Sequence, residues 1–484
     1  MKILMVASEA VPFSKTGGLA DVVGALPQAL HALGNEVAVV TPLYRMTRLE
    51  NPATLFASLT VPLGPNLHFP SVQTVVDNSV KFYFIAYPPF FDRAALYGTP
   101  DGDYPDNAER FALFSRAAIE VAQLDFHPDL IHCHDWQSAL VPVLLRTVYA
   151  TSPLLVRAPV VFTIHNLGYQ GMFRPDVLTA IGLPPSVFTI EGLEFYGKVN
   201  LLKGGLVYSD AINTVSRGYA RDIQTQEFGF GLDGLLRHRS AVLSGILNGV
   251  DYTQWDPATD KFLAANYSPD DLSGKRKCKK DLLKEFGLPA DDGERPLIGI
   301  VSRLSAQKGA DVIAHAVQEL MAENLAMIVL GSGDAVYEDL FRKLAERYPL
   351  KIAARIAYDN ALAHKIEAGA DVFLMPSRYE PCGLNQIYSL KYGTVPVVRA
   401  TGGLDDTVEQ FDRVTGQGTG FKFSDYSPKA MMEAIRAALE IYRHPKLWRK
   451  LMVNGMQKDF SWGSSAAQYV RLYEQVIRGR GQVV

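Results

Sequence analysis

The stretch Leu297-Ile298-Gly299-Ile300-Val301, followed at once by Ser302-Arg303, decides the fold of this chain. A short run without polar side chains is typical of a strand that is buried on both faces of a parallel sheet. The segment before it, 256–296, is rich in Asp, Lys, Pro and Ser and is interpreted as a connecting region with one helical piece. The run at 297–301 therefore opens a new series of strands.

Similar apolar runs, separated by amphipathic helical stretches, extend toward both ends of the chain. They lie at 326–330, 372–375 and 395–398 on one side, and at 3–7, 37–41, 130–133, 160–164 and 211–215 on the other. Strands and helices that alternate in this way predict parallel sheets covered on both faces. We predict an α/β protein of two doubly wound, Rossmann-like domains whose sheets face an interdomain cleft.

The predicted domains are residues 1–245 and 250–455, and the last helical stretch, 456–484, is assigned to the first domain. Pro27 lies inside the first helical stretch and predicts a kink or an interruption there. Open α/β sheets bind their ligands at the carboxyl ends of the strands. The informative residues should therefore follow the strands.

The composition is that of an ordinary globular protein, with 484 residues, 48 basic and 51 acidic side chains and a formal net charge of -3. This balance gives no broad field for nucleic acid or an anionic membrane, so neither is a predicted partner. Cys133, Cys278 and Cys382 fit neither a zinc pattern nor a disulfide framework, which favours a reducing compartment. No apolar run approaches the roughly 20 residues that span a bilayer, and we predict a cytoplasmic protein.

Two loops that follow predicted strands carry residues suited to phosphate. In Lys15-Thr16-Gly17-Gly18-Leu19, the glycines let a phosphate approach a helix start and Lys15 adds a full charge, although a plain tight turn would use the same residues. After 297–301, Arg303 and Lys308 lie five residues apart in one loop. This pair suits a diphosphate, or alternatively consists of two solvated surface charges.

A third loop, Glu380-Pro381-Cys382-Gly383-Leu384, follows the strand at 372–375. Glu380 could hydrogen-bond a sugar hydroxyl, while the backbone N–H groups of Gly383 and Leu384 could face a phosphate. Alternatively, Glu380 caps a helix or pairs with Arg378. The segment Thr401-Gly402-Gly403-Leu404 repeats residues 16–19 after another strand, which suits two related folds.

The segment His132-Cys133-His134-Asp135-Trp136 suggests a zinc site at first glance. In a strand, however, residues 132 and 134 share one face while 133 points to the opposite face, so the three would not converge. We instead expect Asp135 and His165 to face a sugar, with His132 as a satisfied core histidine in the alternative interpretation. No Asp-x-Asp motif of the metal-binding glycosyltransferase type appears, which predicts a site that uses no metal. No Gly-x-Gly-x-x-Gly segment follows the first strand, which disfavours a dinucleotide oxidoreductase.

Taken in order, these segments, together with Asn248-Gly249-Val250-Asp251, resemble the bacterial glycogen synthases and plant starch synthases over essentially the whole chain. These enzymes form glycosyltransferase family 5. The resemblance implies the GT-B fold, ADP-glucose as donor, an α-1,4-glucan as acceptor and retention of the α configuration. It implies no cofactor and no metal, and it leaves the oligomeric state open.

The resemblance also implies site residues. Glu380 holds the glucosyl hydroxyls, and Tyr358 stacks on adenine. The residues implied to act in catalysis are Glu380, Lys308, Arg303, His165 and Asp135. Those implied to bind the donor are Lys15, Gly18, Asp21, Asn248, Arg303, Lys308, Tyr358, Cys382, Gly383, Leu384 and Thr401. Because Cys382 is expected in the pocket, thiol reagents should inhibit.

Three other functions fit part of this pattern. Arg303, Lys308 and Glu380 alone would fit another GT-B glycosyltransferase. A glucan phosphorylase shares the architecture but needs pyridoxal phosphate, and a glucan-binding protein could keep the fold without activity. For a retaining enzyme, both a covalent intermediate and attack from the side of the leaving group remain open.

Overall fold

In a computed structural model, the chain divides into two compact units. The structure describes residues 1–99, 101–152, 155, 158–290 and 294–481. The first unit comprises Met1–Val215, Ile223–Gly249 and Trp462–Val484, and the second comprises Ser216–Asp222 and Val250–Ser461. Thus 216–222 and 456–461, which the sequence-based boundaries placed with the first domain, group with the second unit.

The first unit contains a nine-stranded sheet within the described residues. In sheet order, its strands are Leu243–Gly245, Ala211–Thr214, Val160–Ile164, Leu130–His134, Lys2–Val6, Glu36–Pro42, Val80–Ala86, Ser71–Asp77 and Ala53–Phe56. The strands from the first of these to Val80–Ala86 pair in parallel, whereas the last two pair antiparallel. Five strands of the parallel series match the predicted apolar runs, whereas Leu243–Gly245 and Val80–Ala86 were not predicted.

Helices cover this sheet, and short strands extend its loops. The α-helices are Gly18–Ala32, Pro88–Phe91, Asn107–Val121, Asp135–Ser138, Leu140–Arg146, Val177–Ile181, Leu201–Tyr208, Asp233–His238 and Trp462–Gly481. Ala122–Phe126 forms a π-helical turn, and Pro185–Val187 and Ser240–Val242 form 3₁₀ turns. The short strands are Val61–Leu63, Asn66–His68, Gly98–Thr99, Gly102–Asp103, Met172–Phe173, Glu194–Phe195 and Lys198–Asn200.

The first helix, Gly18–Ala32, continues through Pro27. An interruption at this residue, one of the two predicted outcomes, is therefore wrong. The helix buries Val22, Val23, Leu26 and Leu30 in one apolar cluster with the sheet. That burial offsets the backbone hydrogen bond that a proline cannot make.

The last helix, Trp462–Gly481, packs on the first sheet. Ala466, Tyr469 and Tyr473 are fully buried and belong to the same cluster as Met5 and Val39. Residues far apart in sequence therefore share one core. Among the described residues, no helix has both the length and the apolar character needed to cross a membrane.

The second unit contains a six-stranded sheet in which neighbouring strands are parallel. In sheet order, its strands are Ile352–Arg355, Ala326–Leu330, Leu297–Val301, Val372–Met375, Val395–Arg399 and Phe421–Phe423. Its α-helices are Arg217–Asp222, Ser273–Glu285, Ala310–Ala322, Ala335–Arg347, Asn360–Gly369, Asn385–Lys391, Gly402–Thr407, Pro428–Tyr442 and Pro445–Met456. Ala306–Lys308 forms a 3₁₀ turn. The two doubly wound α/β sheets predicted from the sequence are confirmed.

Aromatic stacking and buried hydrogen bonds hold the segment after Val250 in the second unit. The Trp255 ring stacks on His364 with a centroid distance of 3.6 Å and on Tyr388 at 3.9 Å. Asp260 Oδ2 lies 2.7 Å from His364 Nδ1 and accepts a hydrogen bond from the Tyr392 hydroxyl at 2.6 Å. The predicted connecting region, 256–296, therefore makes buried contacts of its own, such as those of Asp260.

Candidate active site

The parallel strands of the first unit end at one edge of their sheet, and the predicted site residues follow those ends. Lys15 follows Lys2–Val6, Asp135 follows Leu130–His134 directly, and His165 follows Val160–Ile164 directly. This edge therefore collects side chains from separate parts of the sequence, as open α/β sheets do at their ligand sites.

A buried carboxylate, Glu9, holds the loop that carries Lys15. Its oxygens accept hydrogen bonds from the N–H groups of Thr16 and Gly17 and, at 2.8 Å, from the Tyr97 hydroxyl. Glu9 is 3% exposed. Glu9 was not predicted from the sequence. The only feature that pointed to a role in the site is its position shortly after the first strand.

Lys15, Gly18 and Asp21 come together at the start of the first helix. Lys15 Nζ lies 2.7 Å from Asp21 Oδ1, and both side chains reach solvent. In the described structure, a Cβ added to Gly17 or Gly18 would meet no atom within 4 Å. The space beside this helix start is therefore open, and no packing requirement explains the two glycines.

Asp135 links two strand ends of the first unit. Its backbone adopts φ = 55°, a left-handed conformation that is uncommon for a residue with a side chain. Its Oδ1 accepts the N–H of His165 at 2.7 Å, and Asn166 also donates a backbone hydrogen bond to the carboxyl group. Burial raises the pKa of this carboxyl to about 7, against the opposing effect of the two N–H donors. Strained backbone of this kind clusters at functional sites.

Three histidines line up beneath this edge. His134 Nδ1 lies 3.0 Å from His165 Nε2. Burial lowers the pKa of His165 to about 3 and that of His134 well below its usual range, so both rings are neutral near pH 7. His132 hydrogen-bonds Thr163 Oγ1 at 2.7 Å and the Tyr473 hydroxyl at 2.8 Å. His132 is thus a satisfied core histidine.

The arrangement of Cys133 agrees with the argument against a zinc site. The rings of His132 and His134 lie on one side, with centroids 4.0 Å apart. Burial raises the pKa of the Cys133 thiol, which disfavours the thiolate that zinc needs. The described residues contain no group of three or more His, Cys, Asp or Glu side chains able to hold a metal ion.

Asn248 follows the strand Leu243–Gly245 at the same edge of the first sheet. It is 6% exposed, and its side-chain oxygen has no hydrogen-bond donor in the part of the chain that the structure describes. Buried amide oxygens are nearly always paired in folded proteins. An unsatisfied one at a strand end is suited to receive a hydroxyl group of a ligand.

The second unit brings Lys308 and Glu380 into contact. Lys308 Nζ lies 2.5 Å from Glu380 Oε2, and the Ser377 hydroxyl donates to the same oxygen at 3.1 Å. Gly309 makes this approach possible, because it has φ = 81° and a Cβ there would lie 2.2 Å from the Pro376 carbonyl oxygen. Glu380 therefore pairs with Lys308.

Arg303 and Arg378 have other partners. Arg303 Nη2 donates to Gln307 Oε1 at 2.9 Å on an exposed surface. Arg378 lies 3.6 Å from Asp311 and over the Tyr426 ring. The alternative in which Glu380 pairs with Arg378 is therefore wrong, and both Arg303 and Lys308 lie at the carboxyl end of Leu297–Val301.

The two glycine-bearing loops of the second unit pack against each other. Gly403 N donates to the Glu380 carbonyl oxygen at 3.0 Å, and a Cβ on Gly402, whose φ is 47°, would overlap that same oxygen. Glycine is required here by close backbone approach. These contacts set the position of the Glu380 loop.

Thr401 and Gly402 are engaged by a carboxylate that the sequence analysis missed. Asp222 Oδ2 accepts the Gly402 N–H at 2.8 Å and the Thr401 hydroxyl at 3.0 Å. In the same segment, Ser216 donates its hydroxyl to the Pro381 carbonyl oxygen at 2.5 Å. The segment Ser216–Asp222 thus holds the Glu380 loop and the Thr401 loop in place. These contacts form only in the folded chain, so no local sequence motif predicts them.

The end of the Glu380 loop offers backbone donors. Within the described residues, the N–H groups of Gly383 and Leu384 have no hydrogen-bond acceptor. Gln386, also missed by the sequence analysis, is fully buried and donates to the carbonyl oxygens of Cys382 and Gly383 at 3.0 Å each. Cys382 belongs to the loop but is only 5% exposed, so it presents little of its surface.

Tyr358 lies three residues beyond the strand Ile352–Arg355 and is 83% exposed. A large aromatic ring at a strand end with an open face is available for stacking on a planar ligand.

The predicted residues therefore form two groups, one at the carboxyl edge of each sheet. The first unit collects Lys15, Gly18, Asp21, Asp135, His165 and Asn248. The second unit collects Arg303, Lys308, Tyr358, Glu380, Cys382, Gly383, Leu384 and Thr401.

Two Rossmann-like units, each with polar and charged groups at the carboxyl ends of its parallel strands, have the architecture of the GT-B glycosyltransferases. Comparisons with known proteins agree with this class. Residues 2–238 match the family model of the starch synthase catalytic domain, and residues 285–452 match that of glycosyl transferases group 1.

Close relatives narrow the class to a family. The chain is 60% identical over 481 residues to a glycogen synthase of Koribacter versatilis (strain Ellin345), with 99% of each chain covered. It is 51% identical to a glycogen synthase of Anaeromyxobacter sp. (strain Fw109-5), with 98% of this chain and 99% of that one covered. The chain belongs to the glycogen synthase family. It is accordingly a glycosyltransferase with a nucleotide-sugar donor and a glucan acceptor.

Solved structures agree. The catalytic domain of starch synthase IV from Arabidopsis thaliana bound to ADP and acarbose superposes with a TM-score of 0.89 at 34% identity and covers 98% of this chain and 99% of its own. A sucrose-phosphate synthase from Thermosynechococcus elongatus, at 18% identity and a TM-score of 0.59, with 99% of each chain covered, shares the fold.

Proposed function

We propose that this enzyme transfers glucose from ADP-glucose to the 4-hydroxyl at the non-reducing end of an α-1,4-glucan, retains the α configuration and uses no metal or other cofactor. The observation that carries the proposal is the contact between Lys308 and Glu380 beside the open N–H groups of Gly383 and Leu384. It joins a cation and backbone donors, which suit a diphosphate, to a carboxylate, which suits sugar hydroxyls.

Lys308 and Arg303 bind the diphosphate in this proposal, and they stabilise the charge that develops on the departing ADP. Donors aimed at developing charge contribute most of the rate enhancement in many enzymes. They also take the part that a divalent metal has in other transferases. The two cations follow the strand Leu297–Val301, and the two N–H groups lie in the loop after Val372–Met375. Together they supply enough donors for two phosphate groups.

Glu380 holds hydroxyl groups of the transferred glucose. The residue is 5% exposed as a whole, and its carboxylate is fixed by Ser377 and Lys308. When the diphosphate binds, the Lys308 ammonium donates part of its hydrogen bonds to phosphate oxygens instead of to Glu380. The Glu380 carboxylate can then accept hydrogen bonds from hydroxyl groups of the sugar. Residues that are positioned before the substrate arrives lose little entropy on binding it.

Residues of the first unit complete the assignment. Lys15 and Gly18 contact the diphosphate or the glucose, with Asp21 beside them. Asp135, His165 and Asn248 contact the donor sugar and the acceptor. Support comes from their common position at one sheet edge and from the neutral state of His165, which suits hydrogen bonding to hydroxyl groups.

We further propose that the acceptor attacks from the side of the leaving group. The acceptor O4 forms a bond to C1 while the bond from C1 to the phosphate oxygen breaks, and ADP leaves with the electron pair. The proton of the 4-hydroxyl passes to that phosphate oxygen. This path needs no enzyme nucleophile, whereas a covalent path needs an ionised carboxylate on the opposite face of the sugar.

Adenine specificity is supported by the relative from Arabidopsis, which is bound to ADP, and by the exposed ring of Tyr358. We also propose a cytoplasmic location, which the cysteine usage of the sequence favours.

The test is glucose transfer to glycogen from radiolabelled ADP-glucose and UDP-glucose in parallel, with a chelator present. We expect strong incorporation from ADP-glucose, and complete release of the label by an α-specific glucosidase. Incorporation from UDP-glucose alone would overturn the donor, loss of activity with the chelator would overturn metal independence, and a β-linked product would overturn retention.

A further inference from the structure

His134 is a fully buried residue of the first unit that no step of the proposed reaction uses. Its ring makes one hydrogen bond, from Nδ1 to His165 Nε2 at 3.0 Å. Its other ring nitrogen, Nε2, is buried and has no partner among the residues that the structure describes. His165, by contrast, is only partly buried and lies at the candidate site.

The hydrogen bond between the two rings can be made in two directions. If His134 carries its proton on Nδ1, it donates to His165 Nε2 and leaves only a lone pair without a partner at its own Nε2. If His165 donates instead, His134 must carry its proton on Nε2, which buries an N–H group without an acceptor. Orphaned buried N–H groups are rarer in folded proteins than acceptors that lack a donor.

The surroundings of His134 favour no other arrangement. Its neighbour His132 is already committed through both nitrogens, to Thr163 and to Tyr473. Ser138 bonds the backbone N–H and carbonyl of His134 and does not reach the ring nitrogens. Burial also keeps the rings of His134 and His165 neutral, so each carries one proton.

We propose that His134 is a positioning residue, which donates its Nδ1–H to His165 Nε2 and thereby fixes His165 in the tautomer that carries its proton on Nδ1. The tautomer of a histidine is set by the hydrogen bond that its other nitrogen makes. His165 then presents a permanent N–H donor, suited to an oxygen of the sugar or of the phosphate. Only this last step rests on the proposed function.

The tautomer can be measured without substrate. In enzyme labelled with ¹⁵N-histidine, the His165 signals are assigned by comparison with His165→Gln, and the nitrogen shifts distinguish a protonated from an unprotonated ring nitrogen. We expect His165 to be protonated at Nδ1 in the wild-type protein. Protonation at Nε2 overturns the proposal, whatever the activity assay shows.

Activity tests the consequence for catalysis. His134→Phe keeps a ring of similar size but loses the donor, and we expect kcat to fall about 10–100-fold, the range found when a partner that orients a functional histidine is removed. KM should change less, because substrate contacts remain. His134→Asn can donate from nearly the same position and should recover most of the loss. It also serves as the test variant if His134→Phe does not fold.

Tyr473→Phe is the matched control. It deletes one buried hydroxyl that bonds His132, one ring further from His165. It should leave the His165 nitrogen shifts and kcat unchanged. If His134→Phe leaves both unchanged as well, the proposal is overturned. If the wild-type enzyme fails to use ADP-glucose but shows the expected tautomer, the proposed donor fails while the inference about His134 stands.

Discussion

Lys308 Nζ lies 2.5 Å from Glu380 Oε2, although the two residues are 72 positions apart in the chain. The Glu380 side chain is 7% exposed and that of Lys308 is 23% exposed, so the pair is partly buried. Removing charges from water is costly unless they are paired, so each member of the pair compensates part of the cost of burying the other. The contact holds the ammonium at the strand end before the donor arrives.

Replacing Lys308 by Ala should lower kcat about 10²–10³-fold, as does the loss of one key electrostatic donor in other enzymes. Arg303→Ala should have a similar effect, because both cations are assigned to the leaving diphosphate. The measurement is the rate of glucose transfer from saturating ADP-glucose to glycogen. Lys343→Ala is the control: Lys343 is exposed on a helix of the same unit, where it pairs with Asp339. Unchanged turnover in Lys308→Ala or Arg303→Ala would refute that residue's assignment.

The coupling between Lys308 and Glu380 should also appear in stability. Either single change to Ala leaves a partly buried charge without its partner, whereas the double change removes both. We therefore expect the two losses in free energy of unfolding to be non-additive by about 0.5–3 kcal/mol. The measurement is urea denaturation of the four proteins in the cycle. The exposed pair Lys343 and Asp339, an i,i+4 helix pair, should couple more weakly because solvent screens it. Additive losses in the Lys308 cycle would contradict a stabilising pair.

The central strands of both sheets could be predicted from the sequence because strands buried on both faces are continuous apolar runs, whereas the strands nearer the sheet edges, such as 352–355 and 421–423, were not predicted. The two runs at 297–301 and 372–375, for example, pair directly in the second sheet. Residues that follow such runs must lie at one sheet edge, which is why Lys308 and Glu380 could be placed together. The helix through Pro27 was harder, because tertiary packing rather than local propensity maintains it.

The supporting residues of the site could not be predicted. Glu9, Asp222 and Gln386 act by hydrogen bonds to backbone groups of loops whose conformation exists only in the folded chain. A single buried carboxylate or amide has no periodicity and no spacing to reveal it. The short strands at 172–200 were missed for a related reason: two or three residues carry no pattern.

Asp135 should make stability depend on pH. Burial raises its folded-state pKa to about 7 from the usual 3.8, so the folded protein binds more protons than the unfolded chain between these values. Its stabilising contribution is therefore complete below about pH 4 and is lost as pH rises to about 7. In Asp135→Asn this dependence is absent, so the variant should gain stability relative to wild type as pH increases.

The measurement is the difference in free energy of unfolding between Asp135→Asn and wild type at pH 5 and pH 8. We expect this difference to move in favour of the variant by about 1–2 kcal/mol, after allowance for partial solvent screening. All other titrating groups are common to both proteins, so their contributions cancel in the difference in free energy of unfolding. A difference that is constant, or that moves toward wild type with increasing pH, would contradict the raised pKa.

Tyr358 should determine how tightly the nucleotide base binds. Its ring is 83% exposed, so the free enzyme gains little from it in packing. Stacking of a base on an aromatic side chain contributes about 1–3 kcal/mol by alanine substitution. Tyr358→Ala should therefore raise KM for ADP-glucose by about 5–150-fold. The change in kcat should be small, because the base takes no part in bond breaking.

Tyr358→Phe keeps the ring and should retain a KM close to that of wild type, which separates stacking from hydrogen bonding by the hydroxyl. Tyr196→Ala is the matched control, since Tyr196 is similarly exposed, at 82%, but belongs to the first unit. The assay is initial-rate kinetics with varied ADP-glucose at fixed glycogen. Equal KM values in wild type and Tyr358→Ala would place the adenine elsewhere. A fall in kcat without a rise in KM would instead assign Tyr358 to the chemical step or to product release.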